Sequence, residues 1–416
     1  MHRPILKSSE MNINYIIFAI PFFLLLIGIE VLVDKKKKGN AFRLNDSIAN
    51  LNIGIGEQVM SVFTRALMLM LYAFVYKYRI YEMPSNLFTG LVLLFAFDFI
   101  FYWAHRFGHE INIGWGGHIV HHSSEEYNLT VALRQPWFFS AMTFFMFLPL
   151  AWFGFKPELL LIVAGIDILF QFWIHTKYIG KLDFIELFLN TPSHHRVHHG
   201  VNPQYIDKNY AGMFIIWDRM FRTFEEEKEE VVYGITSPVK TWNPAWANVH
   251  YFFDLIKIGK PFSRFSDKVK LFFKHPGWKP DELGGTEFPQ KVDKSTYKKF
   301  DFVYNPAINK YVLVQFSILT MVIVIYLAVE KQMQFWKNLS AAIYLILTLT
   351  VMATMFENKR WTFIFENIRL MLFPLIIFLM PINHLAQLVL THIAFLSSVV
   401  FIFWNSRLQN PQFVKS

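Results

Sequence analysis

The chain has 416 residues, of which 54% are hydrophobic and only 17% are charged, against roughly 25% charged in soluble domains. It contains no cysteine, which excludes disulfides, thiolate metal ligands and cysteine nucleophiles. The net charge of +9 comes without a nucleic-acid-binding motif, so basic loops at a membrane surface are favoured and no nucleic-acid partner is expected. The sequence predicts an all-α, polytopic, integral membrane protein.

Three apolar segments open the chain, at 13–33, 51–76 and 87–104, and each is long enough to cross a bilayer as a helix. No small-residue cleavage site accompanies the first segment, which predicts a membrane anchor and not a signal peptide. The run Lys35–Lys38 follows it at once and, by the positive-inside rule, predicts that this end faces the cytoplasm.

Two apolar stretches at 137–155 and 158–174 predict a helical hairpin across the membrane. Counting crossings from Lys35 then puts the histidine-bearing segment 105–135 and the polar segment 175–305 together on the cytoplasmic side. Within the latter, the basic and aromatic stretch 257–280 predicts a solvated or interfacial surface. Four more apolar segments complete the chain, at 308–329, 339–355, 361–381 and 384–404. We therefore divide the chain into a catalytic domain, 1–304, and C-terminal membrane helices of unknown role, 305–416.

Histidines are concentrated in three short motifs. The first, "HRFGHE", has two histidines four residues apart, so both rings share one helical face. The others, "HIVHHSS" and "SHHRVHHG", each contain an adjacent pair, whose rings diverge by about 100° on a helix and can serve different ions. The members are His105 and His109; His118, His121 and His122; and His194, His195, His198 and His199.

So many imidazoles predict a metal centre with two ions. A structural zinc site would need four ligands and a hydrolytic site usually three. Imidazole also suits iron and copper, and a nearly all-nitrogen site with few acids favours redox iron that binds dioxygen. His2, His250, His275, His384 and His392 have no partner at ligand spacing, and we interpret them as packing or surface histidines.

Acidic residues share helical faces with these histidines. Asp98 precedes His105 and His109 on one stripe, and Asp167 precedes His175 at two-turn spacing, which favours His175 as a further ligand. Ligand histidines commonly donate their second N–H to a carboxylate, so we predict that Asp98, Asp167 and Asp207 orient the rings, although helix–helix hydrogen bonding is an alternative for the first two. Glu110 follows His109 directly and is predicted to act in catalysis, with an ordinary solvated glutamate as the alternative.

The order of the motifs resembles the fatty acid hydroxylase and sterol desaturase superfamily of non-haem diiron membrane oxygenases. Longer strings, such as "HHSSEEYNLTVALRQ" and "NTPSHHRVHHGVNPQYIDKNYAGMFIIWDRMFRTFEEE", resemble the ether-lipid-cleaving members. The resemblance covers about residues 45–245. It implies that the iron ligands are His105, His109, His118, His121, His122, His195, His198 and His199, with His175 and His194 as extra ligands or close neighbours.

The resemblance also implies tetrahydrobiopterin as reductant, although Val131 stands where the familiar pattern has threonine. It implies hydroxylation of the carbon next to the ether oxygen of an O-alkylglycerol, using dioxygen and an electron donor, either a pterin or a redox protein. The hemiacetal then collapses to a fatty aldehyde and the glycerol part. Tyr127, Asn128, Arg134 and Gln135 follow the second motif and are predicted to bind the lipid headgroup, with polar packing around the loop as the alternative.

Two other functions remain open from the sequence. One is a sterol or fatty-acyl hydroxylase or desaturase with the same metal centre. The other is a histidine-rich metal transporter, which should hold its ligands near the bilayer midplane and not at helix ends. The expected location is the endoplasmic reticulum in a eukaryote or the inner membrane in a bacterium, with the metal centre on the cytoplasmic side.

Overall fold

The computed structural model describes residues 16–288, 292 and 297–409. In this part of the chain the regular structure is helical, and the only β pairing is two isolated bridges, Leu189–Phe214 and Gly200–Tyr233. Six helices are long and apolar enough to span a membrane. The prediction of a multi-pass, all-α membrane protein is confirmed.

Three long helices begin the fold: α1 (Ile16–Lys36), α2 (Leu44–Tyr76) and α3 (Leu87–Glu110). The second begins seven residues before its predicted apolar stretch, because its polar first turns find partners inside the protein. Asn50 donates to Asp46 and to Thr130 Oγ1, and Asn52 donates to the Leu349 carbonyl. The first three residues of the predicted 13–33 span lie outside the described residues.

A short helix, α4 (Asn112–His122), follows α3 after a single residue and packs on it. Next come α5 (Leu129–Ala132), α6 (Phe139–Thr143), a 3-10 turn (Phe144–Phe147), α7 (Leu148–Trp152) and α8 (Pro157–Trp173). The predicted hairpin at 137–174 is therefore present, but its first arm is 14 residues of broken helix and its second has 17.

Neither arm of this hairpin reaches the ~20 residues that a full crossing needs. Neither arm is among the six helices that are long and apolar enough to span a membrane, so two complete crossings here are not confirmed; apolar composition alone does not show that the first arm breaks at a 3-10 turn. A hairpin that enters the bilayer partway still returns the chain to the side that it left. The expectation that both histidine-bearing segments share one side is therefore unaffected.

The polar segment folds into short elements around the ends of α3 and α8. They are a 3-10 turn (Asp183–Leu187), α9 (Pro192–His198), α10 (Ile216–Phe221), α11 (Pro244–Gly259), α12 (Phe265–Phe273) and another 3-10 turn (Asp281–Leu283). Pro192 at the first turn of α9 starts this helix at the third histidine motif, since proline there loses no hydrogen bond.

Four long helices end the fold: α13 (Ala307–Val329), α14 (Phe335–Thr354), α15 (Arg360–Leu379) and α16 (His384–Leu408), with 3-10 turns at Glu330–Gln332 and Met355–Glu357. They match the four predicted apolar segments closely. Their buried side chains form one core together with Ile48, Ala49 and Val59 of α2. The C-terminal helices are thus packed against the N-terminal ones through α2.

Candidate metal centre

Nine histidines converge at the ends of α3, α4, α8 and α9. They form two groups, and within each group the candidate ligand nitrogens all lie within 4.8 Å of one another. All nine rings are buried. The first group contains His105, His109, His118, His122 and His198, and the second contains His121, His175, His195 and His199.

The adjacent pairs separate in the way that helix geometry predicts. His121 and His122 are consecutive on α4, yet they belong to different groups, and so do His198 and His199 at the end of α9. The two groups remain in contact, because the rings of His122 and His199 stack with centroids 4.3 Å apart. The site is therefore a single cluster made of two neighbouring groups, each of which could hold a metal ion.

Backbone carbonyls fix the orientation of four rings through Nδ1. The acceptors are the carbonyls of Tyr210 for His105, Arg134 for His121, Gln171 for His175 and Lys208 for His198, at 2.7–3.1 Å. A ring whose Nδ1 carries the donated proton presents the lone pair of Nε2 on its other side. These four rings therefore direct Nε2 lone pairs into the centre, as metal ligands do.

The facing nitrogens leave a gap suited to a cation. His121 Nε2 and His175 Nε2 are 3.4 Å apart, and both rings have already committed Nδ1 to a carbonyl. Burial lowers the pKa of His121 to about 4 and also lowers that of His175, so both rings are neutral near pH 7 and no proton lies between them. The buried nitrogens His109 Nε2, His198 Nε2 and His199 Nε2 have no hydrogen-bond partner. Such a set of unpartnered lone pairs fits metal ions.

The structure does not bring His194 to either group. Its Nε2 lies 3.7 Å from Glu186 Oε2, and its ring packs edge-on against Phe224. His175, in contrast, is a full member of the second group, and its Nε2 lies 3.0 Å from His195 Nε2. The helical stripe of Asp167, Gln171 and His175 was the signal for this position.

The three predicted acids, Asp207, Asp98 and Asp167, differ in how they contact the residues around the histidine groups. Asp207 Oδ1 lies 3.7 Å from His109 Nδ1. Burial disfavours the charged form of Asp207, but His109 and His275 hold its pKa below the ordinary value. Asp98 touches no histidine ring and accepts hydrogen bonds from the Met213 and Phe214 N–H groups and from Trp217 Nε1. It thus anchors the segment that supplies the Tyr210 carbonyl.

Asp167 is linked to His175 through Gln171. It accepts from Gln171 Nε2, and the Gln171 carbonyl accepts from His175 Nδ1. Asp98 and Asp167 pack closely against Gly212: a Cβ added at Gly212 would meet Asp98 Oδ1 at 2.8 Å.

The sequence did not point to Asp218, which is fully buried and accepts from the Tyr210 and Ala211 N–H groups. Its only signal was an acidic residue, followed by Arg219, in a mostly apolar run.

His275 is a further residue that sequence reasoning missed. Its Nε2 lies 3.3 Å from Asp207 Oδ2, so it completes a chain from solvent through Asp207 to His109. The contact with Asp207 raises the pKa of His275. Because 68 residues separate the two partners, no local pattern could reveal the pair.

The predicted headgroup residues differ in their surroundings. Tyr127 is buried, donates to the Ile174 carbonyl and stacks on Tyr233. Asn128 caps α5 and donates to the Ala41 carbonyl. Gln135 is exposed.

Arg134 donates to the Val120 carbonyl, Asn50 Oδ1 and Ser123 Oγ, and it also lines a small polar cavity with Asp46, Ser123, Glu125 and Thr241. Glu110 pairs with Arg106 at 2.8 Å and accepts from the Tyr210 hydroxyl at 3.4 Å. It is one-third exposed and lies outside both histidine groups.

The chain is a multi-pass helical protein with buried imidazoles gathered at helix ends. These features define the class of membrane enzymes that bind metal through histidine motifs. The fatty acid hydroxylase family matches residues 90–223, which include every histidine of both groups. The human alkylglycerol monooxygenase is 36% identical over 382 residues, covering 90% of this chain and 84% of its own length. The zebrafish alkylglycerol monooxygenase is 38% identical over 312 residues, 74% of this chain and 69% of its own.

The chain belongs to the alkylglycerol monooxygenase family, and it is an oxygen-dependent oxidoreductase. Its metal-binding histidines together with the hydroxylase family indicate iron. No solved structure matches the chain. The ligand positions at helix ends do not suit a metal transporter, which holds its ligands near the bilayer midplane.

Proposed function

We propose that the chain is a diiron monooxygenase that cleaves O-alkylglycerol lipids. The observation that carries this proposal is the pair of adjoining imidazole groups, each large enough for one ion, in a chain whose relatives over most of their length are named alkylglycerol monooxygenases. Two iron ions would be held by His105, His109, His118, His122 and His198 on one side and by His121, His175, His195 and His199 on the other.

The overall reaction balances with one dioxygen, two electrons and two protons. One oxygen atom enters the C–H bond next to the ether oxygen, and the other leaves as water. The resulting hemiacetal breaks its bond to the glycerol oxygen and yields a fatty aldehyde and the glycerol part. Iron, when bound, supplies the activation of dioxygen.

The protein would contribute orientation, exclusion of water and positioning of the lipid. The carbonyls of Tyr210, Arg134, Gln171 and Lys208 hold the ring tautomers, and the stacked pair Tyr127 and Tyr233 covers His199 from solvent. We assign the glycerol headgroup to the loop of Tyr127, Asn128, Arg134 and Gln135, next to a small polar cavity that Asp46 and Thr241 also line. Gln135 and Asn128 would support this loop, and Glu110 would act with Tyr210 at the edge of the first group.

The electron donor of this proposal is a reduced pterin, tetrahydrobiopterin in an animal enzyme, with a redox protein as the alternative. The centre would face the cytoplasm, in the endoplasmic reticulum of a eukaryote or the inner membrane of a bacterium. Single cysteines at Lys38 and Lys228, both exposed, can be labelled in sealed vesicles because the chain has no other thiol. Labelling of both from the same side supports a shared cytoplasmic face, and labelling from opposite sides contradicts it.

The decisive experiment supplies purified protein in nanodiscs with Fe(II), dioxygen, a reduced pterin and an alkylglycerol, and it measures fatty aldehyde and iron per chain. We expect two irons per chain and aldehyde that depends on dioxygen. One iron or none would contradict the diiron centre. An iron-loaded preparation that leaves alkylglycerols intact but hydroxylates a sterol or acyl chain would overturn the substrate and leave the class of enzyme standing.

A further inference from the structure

The helices α11 and α12 form a hairpin outside the six candidate spans. A buried seam of Leu255, Phe262 and Leu271 holds the two helices together. The opposite side of α12 presents Phe265, Val269 and Phe273, which are 79%, 43% and 61% exposed. These three residues repeat every four positions, so they form one apolar stripe along the helix. The stripe has no partner in the described part of the chain.

Basic residues surround this apolar stripe. The segment 257–274 has six of them and one acid, Asp267; the basic residues are Lys257, Lys260, Arg264, Lys268, Lys270 and Lys274. Three of the six form surface ion pairs, Lys257 with Asp254, Arg264 with Glu282 and Lys270 with Asp267, and the other three lie outside these pairs. An exposed apolar face with lysines along its borders is the pattern of a helix that lies in the headgroup layer of a bilayer. At 16 and 9 residues, the two helices are too short and too charged to cross it.

The hairpin also contacts helices that are candidate membrane spans. Its first helix packs on α2 and α14, both of which are long enough to span the bilayer. On α11, Trp246 stacks on Phe253, and both rings are at least 40% exposed. Exposed aromatic rings of this kind are typical of the membrane–water interface.

Asn112, the first residue of α4, fixes the hairpin to the metal centre. Its N–H donates to the Lys274 carbonyl, its side chain donates to the Leu271 carbonyl, and it accepts from the Tyr251 hydroxyl, at 2.6–2.9 Å. A Cβ on Gly116 of α4 would meet the Phe252 ring at 2.8 Å, so the helices are in close contact. The same helix α4 carries three histidines of the centre.

From these observations we infer that the α11–α12 hairpin is a docking element for an anionic phospholipid surface. Phe265, Val269 and Phe273 enter the boundary between headgroups and acyl chains, while the basic residues contact lipid phosphates. Because Asn112 joins the hairpin to α4, the docked hairpin also braces the helix that carries three histidines of the centre. This inference does not depend on which lipid is oxidised.

Depth measurements test the apolar stripe directly. A fluorophore is attached to Phe265→Cys or Phe273→Cys in nanodiscs of phosphatidylcholine with phosphatidylserine, and Lys228→Cys serves as the aqueous control. We expect a lipid-attached nitroxide to quench the two hairpin labels several-fold more strongly than the control. Equal quenching at all three positions, or protection of the hairpin labels from both lipid and aqueous quenchers, would overturn the inference, since the second result indicates a covering protein surface.

A charge variant tests the headgroup preference. It combines Lys257→Gln, Lys260→Gln, Arg264→Gln, Lys268→Gln and Lys270→Gln with the label at Phe273→Cys. With native charges, quenching should rise by roughly threefold from neutral to anionic nanodiscs, since each basic residue near the surface is attracted to anionic lipid. In the charge variant this rise should disappear.

Lys35→Gln, Lys36→Gln, Lys37→Gln and Lys38→Gln together form a matched control that should keep the rise. Iron per chain confirms that each variant is folded. A native protein that responds equally to neutral and anionic lipid would refute the anionic preference, and so would a rise that persists in the charge variant.

Discussion

The histidine centre and the C-terminal helices both bury polar groups among apolar helices, but they satisfy them differently. In the C-terminal region Arg369 donates to Glu366 and Gln315, and Glu366 also accepts from Tyr311. At the centre, His121 Nε2 and His175 Nε2 face each other with no donor between them, and the Nε2 atoms of His109, His198 and His199 have no hydrogen-bond partner. Buried charges that find partners within the chain hold helices together, whereas converging lone pairs without donors indicate a ligand from outside.

The largest effect should follow from removing a ring at the contact between the two groups. We expect His122→Ala to lower lipid oxidation by more than about a hundredfold, beyond what loss of a supporting contact usually causes, because it removes a direct ligand bond. The assay is aldehyde formation together with iron per chain. His384→Ala is the matched control, since His384 is exposed on α16, and it should behave as the native protein. Equal losses in the two variants would mean that the centre has been misassigned.

The C-terminal network should respond in stability and not in metal binding. Arg369→Met leaves Glu366 without its cation, and breaking a buried pair in this way costs about 3–5 kcal/mol of unfolding free energy. Thermal unfolding in detergent should show the loss, while iron per folded chain stays at the native value. The double variant with Glu366→Leu should recover part of the stability, because no buried charge is left. If Arg369→Met unfolded at the native temperature but lost iron, the C-terminal network would support metal binding and not stability.

An intermediate effect is expected at Asp207, which contacts His109 without belonging to either group. Asp207→Asn should weaken metal binding by about 10–100-fold, the usual result of losing a carboxylate that supports a ligand histidine. Competition with a chelator of known affinity measures the change. Asp281→Asn, at an exposed position of the 3-10 turn Asp281–Leu283, is the control. His275→Gln should give a smaller loss in the same direction, because it removes only the support for Asp207.

The smallest effect should come from Gln135. Its side chain is exposed and makes one hydrogen bond, to the Ala132 carbonyl. If it supports the headgroup loop, Gln135→Ala should raise KM for the lipid by a few-fold, with kcat, iron content and thermal stability unchanged. A fall in kcat with unchanged KM would assign Gln135 to the reaction and not to binding.

The sequence by itself determined the class of protein and predicted all nine histidines that the structure brings together, with His194 as the one position in excess. Long apolar segments predict membrane helices because a bilayer leaves few other ways to satisfy the backbone, and the spacing of His121 and His122 predicts two binding positions because consecutive helical residues diverge. The same pattern reasoning failed at the broken arm 139–152, since apolar composition shows nothing of a local 3-10 turn.

Tertiary structure alone decided what surrounds the rings. The sequence predicted carboxylates as orienting partners, but four rings use backbone carbonyls, which every residue has and no pattern distinguishes. His194 and His195 are neighbours in one motif, and the resemblance implied His195 as a ligand and His194 as an extra ligand or close neighbour. The tertiary structure decided between those two roles for His194, because its ring lies against Glu186 of the Asp183–Leu187 turn while His195 faces the centre. His275 reaches Asp207 only after the α11–α12 hairpin has folded against α4.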